Sequence, residues 1–380
     1  MSYKLRGNVL RGLGTLLVVG MVAGISFAEG TSAPVVNGFV DTTYMYNFNR
    51  PADQKTELRS FDQNDNNFSL NGAQIAVTGT MEDVGYTVKL LAGSDAAVIA
   101  PLSSTAAGAT NNVDFTVEEG YFTYKCPVTG ITTKVGKFVT TEGIEVIESK
   151  DDPTISRGYL FGLAEPFTHT GVMLSRVFGK VEIGAGLVNG WDLTVDNNKS
   201  KDVLGKIGLN FGDPLSLVIS GIHGSEQSGT PTLGTAEGNN RDSLDITAAS
   251  KILPKTVLNA QWNWGQEKHA LGVLPDYDKW TGVGLQPVVS ITDKFSIGAR
   301  VEQFYNKQGS RLAPLDPGVP ATDHVSVTNY TIAPAYKCTA NTMVRAEFRA
   351  DTSNKKIFLD DKGKFKDSTS SASLEWIVTF

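Results

Sequence analysis

From residue 35 to the last residue, apolar and polar side chains alternate with a period of two, in runs of about ten residues. Sixteen such runs can be traced, at roughly 35–46, 67–79, 84–93, 115–126, 131–139, 167–178, 180–190, 203–212, 214–223, 243–252, 255–264, 279–291, 295–304, 325–337, 341–350 and 370–380. In the eighth, Val203, Gly205, Ile207, Leu209 and Phe211 share a face, and Lys206 and Asn210 take the other. Near the carboxyl end, Val344, Ala346, Phe348 and Ala350 oppose Arg345, Glu347 and Arg349. The closing run sets Ala372, Leu374, Trp376, Val378 and Phe380 against Ser371, Ser373, Glu375 and Thr379, with Ile377 breaking the rule. Strands with one oily and one wet face have this pattern. The run 167–178 alternates least regularly.

The connections are as informative as the strands. Seven are tight, rich in Gly, Pro, Asp and Asn, and they alternate without a break with eight longer ones, at about 47–66, 94–114, 140–166, 191–202, 224–242, 265–278, 305–324 and 351–369. A sandwich or a propeller gives no reason for that regularity. A bacterial transmembrane barrel does, with short periplasmic turns and longer outer loops. The expected fold is all-β: a single domain, 29–380, forming a sixteen-stranded antiparallel transmembrane β-barrel. Closure pairs the last run with the first, so no edge is left exposed, and lipid solvates the oily face. On the pattern alone, a secreted soluble β protein is the alternative.

The amino-terminal segment reads differently. Lys4, Arg6 and Arg11 precede an apolar run, 13–27, that ends in the small residues Ser26 and Ala28. It is shorter than the roughly 20 residues of a spanning helix, so 1–28 is expected to be a signal peptide cleaved after Ala28. The formal net charge is -6, and removing three leader cations makes the remainder more acidic. That excludes a nucleic-acid partner, which requires a basic surface. The two cysteines, Cys126 and Cys338, fall at the ends of the fourth and fourteenth strands. A barrel roughly 30 Å across sets them on the order of 25–30 Å apart, beyond disulfide reach, so two free thiols are expected at the periplasmic rim.

A barrel of this size encloses water rather than a core. The long connection 140–166 is expected to fold inward and narrow that lumen, bringing Glu142, Glu145, Glu148 and Arg157 into it. If its first stretch is helical, the three glutamates line one face; a solvated acidic outer loop is the plainer alternative. Lys89, Lys206, Arg300, Arg345 and Arg349 are assigned to inward faces, because each would cost about 2–4 kcal/mol against lipid. A basic wall facing an acidic loop would set up a transverse field that filters ions by charge. These nine residues form the candidate pore constriction.

Catalytic chemistry finds no support. His169, His223, His269 and His324 are dispersed, with no metal-binding spacing, no GxSxG and no P-loop. No catalytic residue, metal or cofactor is expected. The oxygen-rich stretches 62–67 and 196–202 could hold Ca²⁺ in outer loops, but the first lacks the Gly and distant Glu of an EF-hand, and solvated polarity is the preferred reading. Trp262, Trp264, Tyr44 and Tyr46 suit interfacial aromatic girdles, with sugar stacking inside the lumen as the alternative.

Five stretches carry a family resemblance: GFVDTTYMYNFNRP (38–51), NNFSLNGAQI (66–75), GKFVTTEGIEVIES (136–149), EPFTHTGV (165–172) and NGWDLTVDNNKSK (189–201). In this order they resemble the OmpL-like outer-membrane β-barrel porins, the second beta-barrel porin family of Gram-negative bacteria, over nearly the whole mature chain. The resemblance implies a cell outer-membrane channel for passive diffusion of small hydrophilic solutes and ions, set in lipid and lipopolysaccharide. It supplies no ligand-binding residues. Phe380 resembles the aromatic end that many such barrels present to the barrel-assembly machinery, and a homotrimer is expected by analogy. A plugged outer-membrane barrel serving as adhesin or envelope structural protein is the competing function.

Overall fold

Period-two alternation becomes a ring of sixteen long strands. A computed structural model describes residues 33–100, 115–212, 214–227, 239–268, 277–312 and 324–380; the expected signal peptide and His269 lie outside the described residues. The first eight strands are β1 (Val35–Asn47), β2 (Asn67–Met81), β3 (Val84–Ala92), β4 (Phe115–Lys125), β5 (Thr132–Val139), β6 (Thr168–Phe178), β7 (Val181–Val188) and β8 (Asp202–Asn210). The next seven are β9 (Ser216–Ser225), β10 (Asn240–Leu253), β11 (Thr256–Lys268), β12 (Tyr277–Ser290), β13 (Phe295–Asn306), β14 (Val325–Lys337) and β15 (Thr342–Ser353). A two-residue pair, β16 (Phe358–Leu359) and β17 (Phe365–Lys366), forms a small hairpin in the last long connection before β18 (Ser368–Thr379).

Each long strand pairs antiparallel with its neighbours, and β1 pairs with β18 from Phe39↔Thr379 to Asn47↔Ser371, which closes the barrel. The seam continues to the last residue, where the Phe380 amide donates to the Gly38 carbonyl at 3.0 Å. No described helix is long and apolar enough to cross a membrane; the strands would have to do so. Apolar side chains exposed on the outside, such as Val283, Leu285, Val301, Ile332, Phe348, Leu374 and Trp376, alternate with buried polar ones inside. Register puts Tyr44, Tyr46, Trp262 and Trp264 on the outward face. Both cysteines are free.

Two details were not visible in the alternation. The β3–β4 register shifts by one between Lys89 and Leu90, where Lys89 pairs with Glu119 and Leu90 with Val117. Glu118 is the extra residue of that bulge, so two consecutive glutamates are buried on the inner wall. The second long connection opens with a short helix, α1 (Ser94–Ile99), whose Ala96 and Ile99 pack with Phe39, Phe61, Leu91, Ile147 and Phe161. A second apolar cluster, including Tyr159, Leu160, Trp191, Trp280, Phe304 and Phe358, lies toward the long-loop end. Each such fully buried side chain contributes about 1.5–3 kcal/mol.

Candidate functional site

The inner wall from β13 to β18 is a mosaic of opposite charges. Arg300, Glu302, Arg345, Glu347, Arg349, Asp351 and Glu375 are all buried. No long-range sequence rule pairs them; their register does, since Arg345 stands opposite Glu375, with Nη2 to Oε2 at 2.6 Å. Arg349 reaches Asp351 on its own strand at 2.9 Å.

The connection 140–166 runs among these inward side chains. Arg300 donates to Glu145 Oε1 at 2.5 Å, Thr154 Oγ1 at 2.9 Å and the Ser156 carbonyl at 2.6 Å. Arg345 donates to the Ser149 carbonyl at 3.0 Å and to the Asp152 carbonyl, and Arg349 to the Arg157 carbonyl at 2.7 Å. The wall carboxylates take the backbone amides: Glu347 accepts from Ile155 at 2.6 Å, and Glu302 from Tyr159 at 2.5 Å. Gly298 on β13 permits the close approach, because a Cβ there would strike the Pro153 carbonyl. Further round the barrel, Ser220 on β9 donates to the Thr141 carbonyl at 2.9 Å, and Gln261 on β11 to Glu165 at 2.6 Å.

The three glutamates do not share a helical face. The stretch 142–148 has no helix, and Gly143 sits at φ +85, a conformation that ends any helical run. Each carboxylate goes to a different strand. Glu142 accepts from Ser243 on β10 at 2.6 Å, Glu145 binds Arg300 on β13, and Glu148 accepts from Lys89 on β3 at 2.6 Å. Arg157 does not line a gap; its guanidinium is enclosed by Asp95 at 3.3 Å, Asp152 at 3.5 Å and the Ile147 carbonyl. Burial would lower its affinity for the proton, yet this acidic cage raises it.

The basic wall is likewise not free. Arg300, Arg345 and Arg349 are each 2% exposed or less and spend their charge on named partners. Lys206 stands apart, bonded to Glu182 at 2.9 Å on the neighbouring strand. Of the nine residues, Glu142, Glu145, Glu148 and Lys89 are brought to one place, and Glu118, which the sequence reading missed, joins them.

That place is a cavity of about 210 Å³ between the connection and the wall from β3 to β5, lined also by Asp151, Phe161 and Phe167. It shares Lys89, Glu148 and Asp151 with a larger one of about 620 Å³ toward the short-turn end. A third, of about 640 Å³, lies toward the long loops and is lined by Arg59, Phe61, Asp62, Asn71 and Asp95. Phe61, in the outer cavity, packs on Phe161 and Phe167 of the middle one at centroid distances of 5.8 and 5.6 Å. The three spaces therefore follow one another: the outer and middle ones lie along the β1–β5 side, and the one toward the short turns is bounded by β1–β3 and also by the β14–β15 turn and the end of β18.

Electrostatics in the middle space are lopsided. Lys89 is held by Glu119 at 3.0 Å and by Glu148; Lys150 is held by Glu148 at 2.7 Å and by Asp151. Glu118 and Glu142 form no salt bridge there: Gln74 donates to the first at 2.6 Å, and Ser243 to the second. Burial pushes Glu142 up to about 8, against the Ser243 hydrogen bond, with Asp245 nearby adding to the rise. Burial acts on Glu148 as well, but Lys89 and Lys150 hold its carboxyl far below the usual range.

Other expected groups have structural partners. His169 is buried, its ring nitrogens 3.1 Å from the Gly190 carbonyl and 3.3 Å from Thr140 Oγ1. His223 lies outside against Asp242. Asp196 is taken by Lys201 and the Asn198 amide, and Asp65 by the Asn47 amide. Among the described residues no three His, Cys, Asp or Glu side chains are arranged to hold a metal ion.

A family model described as "Putative beta-barrel porin-2, OmpL-like" matches residues 35–380. Among solved structures, the outer membrane channel DcaP of Acinetobacter baumannii is similar with a TM-score of 0.63 at 11% identity, covering 94% of this chain and 99% of that one. The trimer form of OmpT, an outer membrane protein of Vibrio cholerae, gives 0.60 at 13% identity, with 93% and 100% covered. An anion-selective porin from Comamonas acidovorans gives 0.57 at 12% identity, with 92% and 100% covered. At such identities the likeness is one of fold. No curated protein matches the sequence.

Proposed function

The chain belongs to the OmpL-like beta-barrel porin-2 family and is a porin-type barrel of the outer membrane; from that premise we propose that small hydrophilic solutes and ions diffuse passively through it. One observation carries the reading: the connection 140–166 is bonded to the β13–β18 wall and to other strands, and three cavities follow one another past it from the long loops to the short turns. Charge filtering comes from the middle space. The arginines of the β13–β18 wall and the lysines Lys89 and Lys150 are held by carboxylates, and Glu118 and Glu142 make the space acidic, Glu142 as pH rises through about 8. In this reading the channel favours cations over anions of equal size. It works as a trimer, as the trimer form of V. cholerae OmpT supports by analogy, set in lipid and lipopolysaccharide with no cofactor and no catalytic step. Phe380, 60% exposed, serves as the mark read by the assembly machinery.

Planar-bilayer recording of the purified mature chain tests this. Discrete conductance steps are expected, with reversal potentials in a KCl gradient on the cation side. A second reading, a plugged barrel with an adhesive or structural role, draws on the packing of Trp191, Leu160 and Trp280 across the long-loop half. An absence of steps would favour that reading.

A further inference from the structure

Arg176 and Lys180 stand on the outside of the barrel, at the short-turn rim of β6–β8. Arg176 pairs across the sheet with Ile183, and both belong to the outward face that exposes Leu174, Ile183 and Ile207. Lys180 occupies the β6–β7 turn. Each cation rests on a ring: the Arg176 guanidinium lies 4.6 Å from the Phe178 centroid, and Lys180 Nζ lies 5.7 Å from that of Phe211, just past β8. Arg176 also leans toward the β4–β5 turn, where a Cβ on Gly130 would come 3.9 Å from its Nε. The two cations thus bracket the rim from that turn to the end of β8.

Neither charge is spent within the chain. Among the described residues no carboxylate pairs with Arg176 or Lys180; the nearest acid along the chain, Glu182, faces inward and is taken by Lys206 at 2.9 Å. Both cations are exposed. An aromatic face attracts a cation through its quadrupole but does not neutralise it. Arg176 comes three residues before Gly179 of the turn. A rise of about 3.3 Å per residue and a tilt of about 40° set it roughly 8 Å from the rim. There an oily outer face gives way to headgroups, and a lipid-facing arginine costs little.

We propose that this sector is a docking surface for anionic phospholipid of the periplasmic leaflet, with Arg176 and Lys180 pairing with headgroup phosphates and the strip of Leu174, Ile183 and Ile207 carrying the acyl chains. Unspent positive charge selects an anionic headgroup over a zwitterionic one. The adjoining apolar strip selects a lipid over a soluble polyanion. On the same rim the β2–β3 turn exposes Glu82 and Asp83, so anionic headgroups collect at one sector and are repelled from another. The inference rests on the outer-membrane setting of the barrel and not on its conductance.

Native mass spectrometry tests this on the purified mature chain, folded in detergent and offered equal amounts of dioleoylphosphatidylglycerol and dioleoylphosphatidylcholine. Phosphatidylglycerol is expected to be retained in preference. Arg176→Gln and Lys180→Gln are each expected to lower that preference about fivefold, the factor equivalent to about 1 kcal/mol per cation at an anionic surface. Lys255→Gln with Lys294→Gln removes two charges elsewhere on the rim and should leave it unchanged. Glycerol phosphate, the anion without chains, should not compete. Tryptophan emission confirms a folded barrel in each variant. No preference in the unmodified protein, an equal loss in the control pair, or displacement by glycerol phosphate overturns the proposal. So does a change of subunit number in Arg176→Gln, which would assign the sector to contacts between copies. The porin reading stands under any of these outcomes.

Discussion

Replacing Arg300 by alanine would break the most heavily used tie between the barrel wall and the connection 140–166. The guanidinium contributes donors to Glu145, Thr154 and both oxygens of Ser156, besides Asn329 and Thr331 on the wall. Its removal leaves Glu145 buried, with only the Gln286 amide and the Gly158 N–H for company. Breaking one side of a buried pair costs about 3–5 kcal/mol, a factor of roughly 10²–10³ or more in the balance between tied and released connection. The middle space holds about 210 Å³ against 620 Å³ beside it. If release widens the narrow part to match, single-channel conductance rises by about threefold, with added open-channel noise. Lys206→Ala is the control, since Lys206 bonds only to the adjacent strand. Single-channel recording of both variants decides the matter: an Arg300→Ala channel with unmodified conductance and noise would mean that the connection does not limit the current.

Three further outcomes are expected. At pH 9, where Glu142 is charged, Glu118→Gln and Glu142→Gln together should move the reversal potential in a KCl gradient toward anions by several-fold in permeability ratio, because each carboxylate about 5 Å from a passing ion contributes about 0.8 kcal/mol in water; an unmoved potential would place the selectivity elsewhere. Glu142 gains its charge as pH rises through about 8, so cation preference should climb between pH 6 and 9 in the unmodified protein and stay flat when Glu118 and Glu142 are both replaced by glutamine; Ser243, Asp245 and Glu165 face Glu142 and do not reverse the sign. Cys338, which is exposed, should react with a maleimide reagent in the folded barrel faster than the half-covered Cys126, and non-reducing gels should show no internal crosslink.

The barrel was legible because lipid on one side and water on the other force a residue-by-residue alternation, and because chain ends on one rim require an even number of strands. Arg300, Arg345 and Arg349 could be assigned inward on that ground alone. Their partners could not, since Arg300 and Glu145 are 155 positions apart and only the inward course of the connection joins them. The helix imagined over Glu142, Glu145 and Glu148 fails for a local reason, Gly143 at positive φ, and a distant one, three separate strands each claiming a carboxylate. Glu118 was hidden by a single-residue bulge, which period-two counting absorbs without trace. The doublet Glu118–Glu119 was the only hint, as two adjacent acids cannot both follow the pleat inward without one.

Glu148, Ser149 and Lys150 are consecutive, yet they grip three different staves. Glu148 holds Lys89 of β3, Ser149 donates to Glu375 of β18 at 2.5 Å, and Lys150 lies over the Phe39 ring of β1. The join between first and last strands is thus riveted from within by a segment threaded from the far side. Prising the cylinder apart sideways at that join would have to pull out these rivets as well as unzip the backbone ladder, so any lateral escape route for a lipid or a peptide is better sought elsewhere on the circumference.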